Sequence, residues 1–523
     1  MRTLRLLAVT SSIITMGLLL PGIGCFDPAS DCLLNGKCVY STFTGGSAGG
    51  GGTIDPMCVP SENASPVSES CGVFVSSSGG DDGNDGTPGA PVKTLANAIE
   101  QATAGSVPVY ACAETFAEAV TLPAGSVLYG GLDCANDWRY LGATKKTLLA
   151  PEADAAAMTQ VALMLAGGTD KTRVEDVAVT APDATLPGGS SIAALADGGS
   201  VELVGCELTA GNGAAGVVGE TPSEPVGPND PNDLAIRGAN GTNACMGNMS
   251  GTQGGAGAVN MMCMSTVGGD GGNGKVATGD KGGDGQPLPD PNPLAKGVGG
   301  YGDPGDGSGC NVGAPGRIGP SGASGAGALS SKHGTLSSTG FTGADGAAGS
   351  DGVLGQGGGG GGGAKGKAGC NGASGGGGGA GGCGGRGGRG GQGGGASIAL
   401  ASVGATVLLQ EVKLTTRNGG DGGEGGEGQN GAIGGFGGGG GLGTSGTLAA
   451  CAGGQGGQGG FGGKGGGGRG GPSVGVAFTG TAPVIEGGSI KLGTPGKGGA
   501  GVDAAGMGAD GAATETMEMS APN

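Results

Sequence analysis

The chain has 523 residues, of which 139 are glycine, while aromatic residues make up only 3%. Because glycine has no side chain to bury and aromatic side chains supply much of an ordinary core, this composition excludes one large hydrophobic core. The formal net charge of −18 disfavours nucleic acid and anionic lipid surfaces as partners. The 14 cysteines indicate disulfide bonds and an oxidising compartment.

The N-terminus has the pattern of an export signal. Two arginines precede a mostly apolar run, 6–20, that is too short for a membrane-spanning helix. Gly22 and Gly24 form a small-x-small site for ordinary signal peptidase, and the same stretch resembles a bacterial lipobox in which Cys25 carries the lipid. The lipobox usually has leucine where this chain has Gly22. We expect a signal peptide over 1–24 and a lipid on Cys25; the alternative is that Cys25 is the first disulfide cysteine.

A cysteine-rich stalk is predicted over 25–72. An Asn-Gly turn lies between its early cysteines, and the glycine/serine run 45–53 interrupts the segment, which favours a stapled stalk over a small domain. The disulfide candidates in the stalk are Cys32, Cys38, Cys58 and Cys71.

The next segment predicts a strand over 73–75, a turn-rich loop over 79–88 and a short helix over 96–102. The loop contains the letters N-D-G-T, followed by a proline and Thr94-Leu95. This order resembles the opening segment of bacterial pectin-lyase-like proteins. The resemblance implies a right-handed parallel β-helix with a capping helix before its first coil.

Three carboxylates in this loop are candidate calcium ligands. Asp81, Asp82 and Asp85 are close in sequence, but their spacing is not that of an EF-hand. The alternative is a loop held by Asx-turns. No other cofactor is expected.

Short strands and an internal repeat support the β-helix independently. Residues 191–213 recur without gaps at 397–419, an offset of 206 (397 − 191), and a looser copy lies at 473–493. Each copy holds three short apolar runs separated by corners, about one turn of a three-sided stack. Further short strands are predicted over 107–111, 127–129, 162–165 and 174–179.

Two glycine-rich inserts separate the copies, 214–395 and 420–471. Much of their sequence is a strict triplet in which every third residue is not glycine. A period of three matches polyproline-II geometry, so the inserts are either packed polyglycine-II-like helices or flexible disorder. Their composition is similar to that of PGRS-type glycine-rich surface proteins and of glycine-triplet antifreeze proteins.

Catalytic motifs are weak in this chain. Ser374 lies in a G-x-S-x-G pattern, but inside polyglycine, and the only histidine is His333, so we expect no nucleophilic catalysis. An enzyme of the pectin-lyase-like type needs carboxylates and a basic residue on one strand face. The carboxylates near predicted strands, which show no basic partner at a fixed spacing, are Glu175, Asp176, Glu202 and Glu207.

The cysteines beyond the stalk are thinly spread and form no C-x-x-C motif. Cys112 with Cys134 is the favoured pair, because each lies at the edge of an early predicted coil. The cysteines inside the inserts are expected to staple loops that glycine alone does not order.

The predicted class is all-β, a right-handed parallel β-helix with long glycine-rich inserts. The predicted organisation is signal peptide (1–24), stalk (25–72), cap and first coils (73–213), insert (214–395), coil (396–419), insert (420–471), last coil (472–500) and disordered tail (501–523).

The expected function is that of a non-catalytic exported protein with a structural, adhesive or matrix role. We expect an outer-membrane lipoprotein or cell-surface protein, alternatively a secreted one, whose partners are surface or matrix components. Two alternatives stay open: a carbohydrate-active β-helix lyase or hydrolase, and an ice- or surface-binding protein acting through glycine-triplet bundles. Carboxylates converging on one strand face would favour the enzyme, and a flat array of outward Thr or Gln would favour ice binding.

Overall fold

The structure is a computed structural model that describes residues 56–63, 65–246, 251–263 and 265–522. The predicted signal peptide, the lipidation site Cys25 and the disulfide candidates Cys32 and Cys38 lie outside these residues. The described chain is predominantly β, with one α-helix. Its elements are β1 (Val73–Val75), α1 (Leu95–Gly105), β2 (Val109–Cys112), β3 (Thr115–Phe116), β4 (Val120–Leu122), β5 (Val127–Asp133), β6 (Arg139–Tyr140), β7 (Thr147–Leu149), β8 (Thr159–Ala166), β9 (Lys171–Glu175), β10 (Val177–Thr180), β11 (Ser190–Asp197), β12 (Ser200–Val204), β13 (Glu207–Thr209), β14 (Thr335–Ser337), β15 (Gly340–Thr342), β16 (Ser397–Val403), β17 (Thr406–Gln410), β18 (Lys413–Thr415), β19 (Ser473–Thr479), β20 (Val484–Glu486), β21 (Ser489–Lys491) and β22 (Ala513–Glu518).

Three sheets, together called the strand stack, are built from successive turns of the chain. Sheet 1 has the order β1-β2-β5-β9-β12-β17-β20, with β6 antiparallel on β5. Sheet 2 has the order β4-β8-β11-β16-β19-β22, and sheet 3 the order β3-β7-β10-β13-β18-β21. From β2 onward the chain visits sheets 1, 3 and 2 in turn, and neighbouring strands within each sheet are parallel apart from β6. This arrangement is compatible with a parallel β-helix.

The internal repeat defines the strand register. Ser191 pairs with Ser397, which pairs with Ser473 in sheet 2, and Leu208 pairs with Leu414 in sheet 3. The prediction that the three copies form parallel strands in one stack is therefore confirmed. The prediction of a disordered tail over 501–523 is wrong, because β22 pairs in parallel with β19 across six residues.

The core lies between the sheets. Leu203 of sheet 1, Leu208 of sheet 3 and Leu400 of sheet 2 are buried in a single cluster, since every other residue of a strand points inward. Helix α1 covers the first end of the stack with its apolar face. Thr94 Oγ1 caps the helix by accepting from Asn97 N at 3.2 Å.

The outer faces of two sheets are also covered. Phe74, Tyr110 and Tyr129 stack along sheet 1 with ring centroids 5.1 and 5.5 Å apart. Residues 56–72, the described end of the predicted stalk, pack over this ladder, and Tyr110 Oη donates to Cys58 O at 2.6 Å. The β14–β15 hairpin packs its apolar side chains on the outer face of sheet 2.

The corners that lead from sheet 3 to sheet 2 hold the glycine-rich segments. The first three of these corners are short, 117–119, 150–158 and 181–189, and the following ones are 210–396, 416–472 and 492–512. The three long corners, without the β14–β15 hairpin, are called the glycine layer. Because they leave consecutive turns of the stack at one edge, their segments run side by side.

Backbone hydrogen bonds order the glycine layer with a period of three. The N–H groups of Gly385, Gly388 and Gly391 donate to carbonyls at Gly460, Gly463 and Gly466, each at 2.9 Å. A period of three residues is that of a polyproline-II helix. Hydrogen bonds of this kind join the tracts 212–220, 374–395 and 344–364 in one row and 418–442, 452–471 and 313–328 in a second.

The tract 374–395 shows how closely these rows pack. Around one turn it bonds to both neighbours in its own row, through Arg389 N to Glu220 O at 2.9 Å and Gly349 N to Gly388 O at 2.8 Å. It also bonds to two tracts of the other row. A Cβ on Gly378 would lie 2.0 Å from Gly358 O, so only glycine fits there.

Disulfide bonds staple both regions. Cys58 is bonded to Cys71, and Cys112 to Cys134, the pairing that the sequence favoured. In the glycine layer the bonds close loops of more than a hundred residues: Cys245–Cys370, Cys263–Cys383 and Cys310–Cys451. Such bonds restrict the unfolded chain, which offsets part of the entropy lost when glycine is ordered.

Candidate functional site

A row of charged side chains lies on the outer face of sheet 1, beside the aromatic ladder. Lys171, Arg173 and Glu175 alternate along β9, so they share one face. Arg173 pairs in register with Glu202 of β12. Arg173 Nη1 donates to Glu202 Oε2 at 2.7 Å, Arg173 Nη2 donates to Glu175 Oε2 at 2.7 Å, and Lys171 Nζ lies 2.9 Å from Glu202 Oε2.

The charges of this row compensate one another. Burial alone would raise the pKa of the Glu202 carboxyl, but the hydrogen bond from Lys171 and the charge of Arg173 hold it below its ordinary value. Burial alone would likewise lower the pKa of Arg173, and its two carboxylate partners raise it instead. Only 3% of Glu175 and 5% of Glu202 is exposed, and both carboxylates are held in ion pairs with Arg173.

The structure brings together only two of the four carboxylates picked out in the sequence. Glu175 and Glu202 share Arg173, whereas Asp176 binds Lys146 Nζ at 2.8 Å and the hydroxyl of Tyr140. Glu207 forms an exposed ion pair with Lys413. Sequence reasoning missed the basic residues, although the alternation K-T-R-V-E already places all three charges on one face of a strand.

The acidic loop holds itself together. Asp82 Oδ1 accepts from Lys93 N at 2.9 Å and Thr94 N at 2.8 Å, and Asp81 Oδ1 accepts from Gly83 N at 2.9 Å as an Asx-turn. Burial slightly opposes the ionised form, yet the donors at Thr94 and Lys93 lower the pKa of Asp82. Over the described ranges, no His, Cys, Asp and Glu residues cluster as a metal site.

Ser374 and His333 occupy different surroundings. Ser374 is buried and its Oγ donates to Gln253 O at 2.6 Å and accepts from Thr242 N at 2.7 Å, so it bridges tracts of the glycine layer. His333 is half-buried near Arg469, and burial together with that charge lowers its pKa. Ser374 therefore has a structural role in the layer.

In the tract 452–471, glycine occupies the positions that a neighbouring segment covers, and larger side chains occupy the equivalent positions that it does not cover. Gly467 and Gly470 donate to the carbonyls of Gly506 and Ala509 at 2.9 and 3.0 Å, so the segment 496–509 covers that side of the tract. Residues three apart lie on the same side of such a helix. Where the cover stops, the positions in phase are occupied by Gln455, Gln458, Phe461 and Lys464.

The adjacent tract, 313–328, shows the same change from glycine to larger side chains. A Cβ on Gly327 would lie 2.0 Å from Met507 O, and beyond this cover the positions in phase carry side chains. The two tracts are neighbours, because Gly319 N donates to Gln458 O and Gly322 N to Phe461 O. The uncovered surface, called the open face, consists of Pro315, Ile318, Ser321, Ser324, Gln455, Gln458, Phe461 and Lys464.

The opposite surface of the layer is charged. Arg389 Nε lies 3.4 Å from Glu220 Oε2, and both side chains are more than 70% exposed. Asp351 Oδ1 accepts from Gly387 N and Asp345 Oδ1 from Gly393 N, each at 2.8 Å. Carboxylates at the third position thus satisfy edge N–H groups that no neighbouring tract reaches.

Two clefts lined by described residues do not include the charged row. One has a volume of about 420 Å³ and is lined by Met158, Phe341, Asp345 and Gln392 among others. The other, about 470 Å³, is lined mainly by glycine backbone with Thr252.

Among the residues that the structure describes, no helix is long and apolar enough to cross a membrane. No family model, no curated protein and no solved structure matches the chain. The resemblance to pectin-lyase-like and PGRS-type proteins therefore stays a prediction from the sequence.

Proposed function

We propose that this chain is a non-catalytic exported protein of the cell envelope or surface, with a structural or adhesive role. In this proposal the strand stack is a right-handed parallel β-helix and the glycine layer a polyglycine-II-like bundle mounted along one edge of it. The observation that carries the proposal is the glycine layer itself. Its described tracts are joined by backbone hydrogen bonds, it is stapled by three disulfides and it presents regular rows of exposed side chains.

The construction suits display. Adjacent tracts hold one another through backbone bonds, so the surface side chains are positioned by a rigid scaffold without forming an enclosed pocket. Disulfide bonds are typical of an oxidising, extracellular environment, which supports export. Outer-membrane anchoring through Cys25 is part of the proposal.

The alternative of a carbohydrate-active enzyme has one observation in its favour. Glu175 and Glu202 converge on Arg173, as carboxylates and a base would in an active site. Against it, each of these groups is already paired, and the carboxylates are buried on a sheet face that lines neither cleft. The ice-binding alternative has less support, since the open face mixes Gln, Phe, Ile and Lys.

The test compares the full-length protein with a variant that lacks 214–395 and 420–471. The short corner 181–189 shows that the same turn closes without a long segment. We therefore expect the variant to be exported and folded, with the outer face of sheet 2 uncovered by loss of the β14–β15 hairpin, and to lose adhesion to cells or matrix. The full-length protein should show no turnover of pectate, other polyuronates or peptides. Reproducible turnover that Glu175→Gln or Glu202→Gln abolishes would establish the enzyme instead.

The anchor has its own measurement. Mass spectrometry of the mature N-terminus should find Cys25 carrying lipid. An unmodified Cys25 at the N-terminus, or cleavage elsewhere, would contradict the anchored form and favour a secreted protein.

A further inference from the structure

The open face is not shaped for another glycine tract. Where the segment 496–509 covers the two tracts, glycine stands at the contacts, because a Cβ at Gly467 would lie 2.0 Å from Gly499 O and one at Gly327 2.0 Å from Met507 O. On the open face the same positions hold bulkier side chains, such as Gln458, Phe461 and Ile318. These hold a second polyglycine helix away, so stacking of another copy through backbone contacts is blocked there.

The open face also exposes large apolar side chains. Ile318 is 62% exposed and Phe461 49% exposed. Among the described aromatic residues, those that are strongly exposed are Tyr301, Phe436 and Phe461, all in the glycine layer. Apolar side chains that share one ordered surface form a candidate contact patch for a partner.

Charge narrows the choice of partner. The one cation of the open face, Lys464, is paired with Glu427 at 2.6 Å. The remaining side chains of the face are neutral, and the protein has a net charge of −18. An anionic glycan, a nucleic acid or an anionic membrane would meet no unpaired cation on this face and a repulsive field around it.

We propose that the open face binds a neutral polysaccharide that lies along the tract axis. The ring of Phe461 and the side chains of Ile318 and Pro315 contact the apolar faces of the sugar rings. The amides of Gln455 and Gln458 and the hydroxyls of the serine row bond to sugar hydroxyls. This inference rests on the proposed adhesive function and names its partner class.

The spacing of the side chains fits an extended sugar chain. In polyproline-II geometry one triplet advances about 9 Å, so Gln455, Gln458 and Phe461 form a regular row. That step is close to one disaccharide of an extended polysaccharide. Gln458 Nε2 donates to Gly431 O at 3.2 Å and Gln455 Nε2 to Gly434 O at 3.4 Å, which holds both amides down on the adjacent tract and pre-orders the face.

Affinity electrophoresis of the full chain tests the proposal. The gels contain hydroxyethylcellulose, xylan or soluble β-1,3-glucan as neutral probes, or polygalacturonate as the anionic one. We expect retardation by at least one neutral probe, little by polygalacturonate, and a dissociation constant at least tenfold higher for the variant Ile318→Ala/Phe461→Ala. The matched control is Val218→Ala/Tyr301→Ala, which removes an aliphatic and an aromatic side chain of similar exposure elsewhere in the layer and should bind like wild type.

Several outcomes would overturn the proposal. These are no retardation by any neutral probe, equal loss in both double variants, equal binding of polygalacturonate, or a dimer that Ile318→Ala/Phe461→Ala converts to a monomer. Adhesion assays on cells separate the two levels. If the full-length protein adheres to cells but binds no neutral probe, the polysaccharide partner is rejected and the adhesive function stands. If the variant without 214–395 and 420–471 still adheres and still binds glycan, the proposed function is rejected as well.

Discussion

The strand stack and the glycine layer solve the same problem with opposite means. Both regions join neighbouring passes of the chain by backbone hydrogen bonds, and the passes of the glycine layer are the corners of the coils that form the stack. In the stack, leucine and valine side chains fill the space between sheets. In the layer, backbone fills most of the space and few side chains are buried. The stability of the stack therefore depends on buried apolar side chains, and that of the layer on the absence of a Cβ at the glycine positions where tracts meet.

This difference determines how each region should respond to substitution. Removing atoms from the stack leaves a cavity, whereas the layer has few buried side chains to remove. Adding one carbon to the layer creates a clash with a carbonyl, whereas the stack already contains large side chains.

The largest effect should follow removal of a buried side chain from the stack. Leu203 has no exposed surface and packs between the sheets, so Leu203→Ala should lower the free energy of unfolding by about 4 kcal/mol. Chemical denaturation measures it. The control Val484→Ala, at a 53% exposed position of the last strand of sheet 1, should change it by less than about 1 kcal/mol. Equal effects at the two positions would mean that Leu203 is not in a packed core.

Removing Arg173 from the charged row should lower the free energy of unfolding somewhat less than Leu203→Ala does. Arg173→Met keeps the length of the side chain but leaves Glu175 and Glu202 without their shared partner, and we expect a loss of about 3 kcal/mol at neutral pH. Lys413→Met, which breaks an exposed ion pair, should cost less than about 1 kcal/mol. If Arg173→Met were as stable as wild type or more stable, the desolvation penalty of the charged side chains would outweigh the attraction between them.

The same pair predicts a dependence on pH. The folded-state pKa of Glu202 lies below its ordinary value, so its contribution is complete above that ordinary value, about 4.3, and is lost as the pH falls through the folded-state pKa. In Arg173→Met, protonation of Glu202 no longer breaks an ion pair with residue 173, and only the pair with Lys171 remains. Thermal melts should therefore show the gap between wild type and Arg173→Met narrowing below about pH 4. A gap that stays constant down to pH 2.5 would contradict the assignment.

Neighbouring glycines provide the sharpest contrast inside the layer. A Cβ on Gly438 would lie 2.0 Å from Ala239 O, whereas a Cβ on Gly439 would meet nothing nearer than 3.6 Å. Gly438→Ala should cost about 2 kcal/mol, and Gly439→Ala should be neutral or slightly stabilising, because alanine restricts the unfolded chain. Thermal melts of the two variants decide it. Similar melting temperatures would mean that the layer is not close-packed.

The strand stack could be predicted from the sequence more fully than the layer. Its apolar positions alternate, and Leu203 and Leu409 recur at a fixed offset, which indicates strands in register. Strand β22 was missed because its sequence, A-T-E-T-M-E, is polar and only Met517 is buried. For the charged row, the sequence pattern indicated the carboxylates Glu175 and Glu202. It did not indicate their partner Arg173, although Arg173 is only two residues from Glu175.

The arrangement of the glycine layer could not be derived from the sequence. The triplet phase predicts a helix type, but any glycine tract can pack on any other, so neither the neighbours nor the disulfide Cys263–Cys383 follow from it. One signal was present and is now interpretable. Where a tract changes from Gly470 and Gly467 to Lys464 and Phe461 in the same phase, its cover ends.

The smallest effect concerns Cys206, the one described cysteine outside a disulfide. It is buried in the strand stack, and burial raises the pKa of its thiol to about 12. Alkylation at pH 8, followed by mass spectrometry of the peptide that contains Cys206, should therefore find almost no label in the native protein and full label after denaturation. The label reports opening of the stack alone. Leu203→Ala should raise the labelling rate at least tenfold, because it weakens the coil that holds the thiol, while Gly438→Ala should leave the rate near that of wild type. If Gly438→Ala accelerates labelling as much as Leu203→Ala does, the layer and the stack unfold as one cooperative unit, and the two regions are not energetically separable.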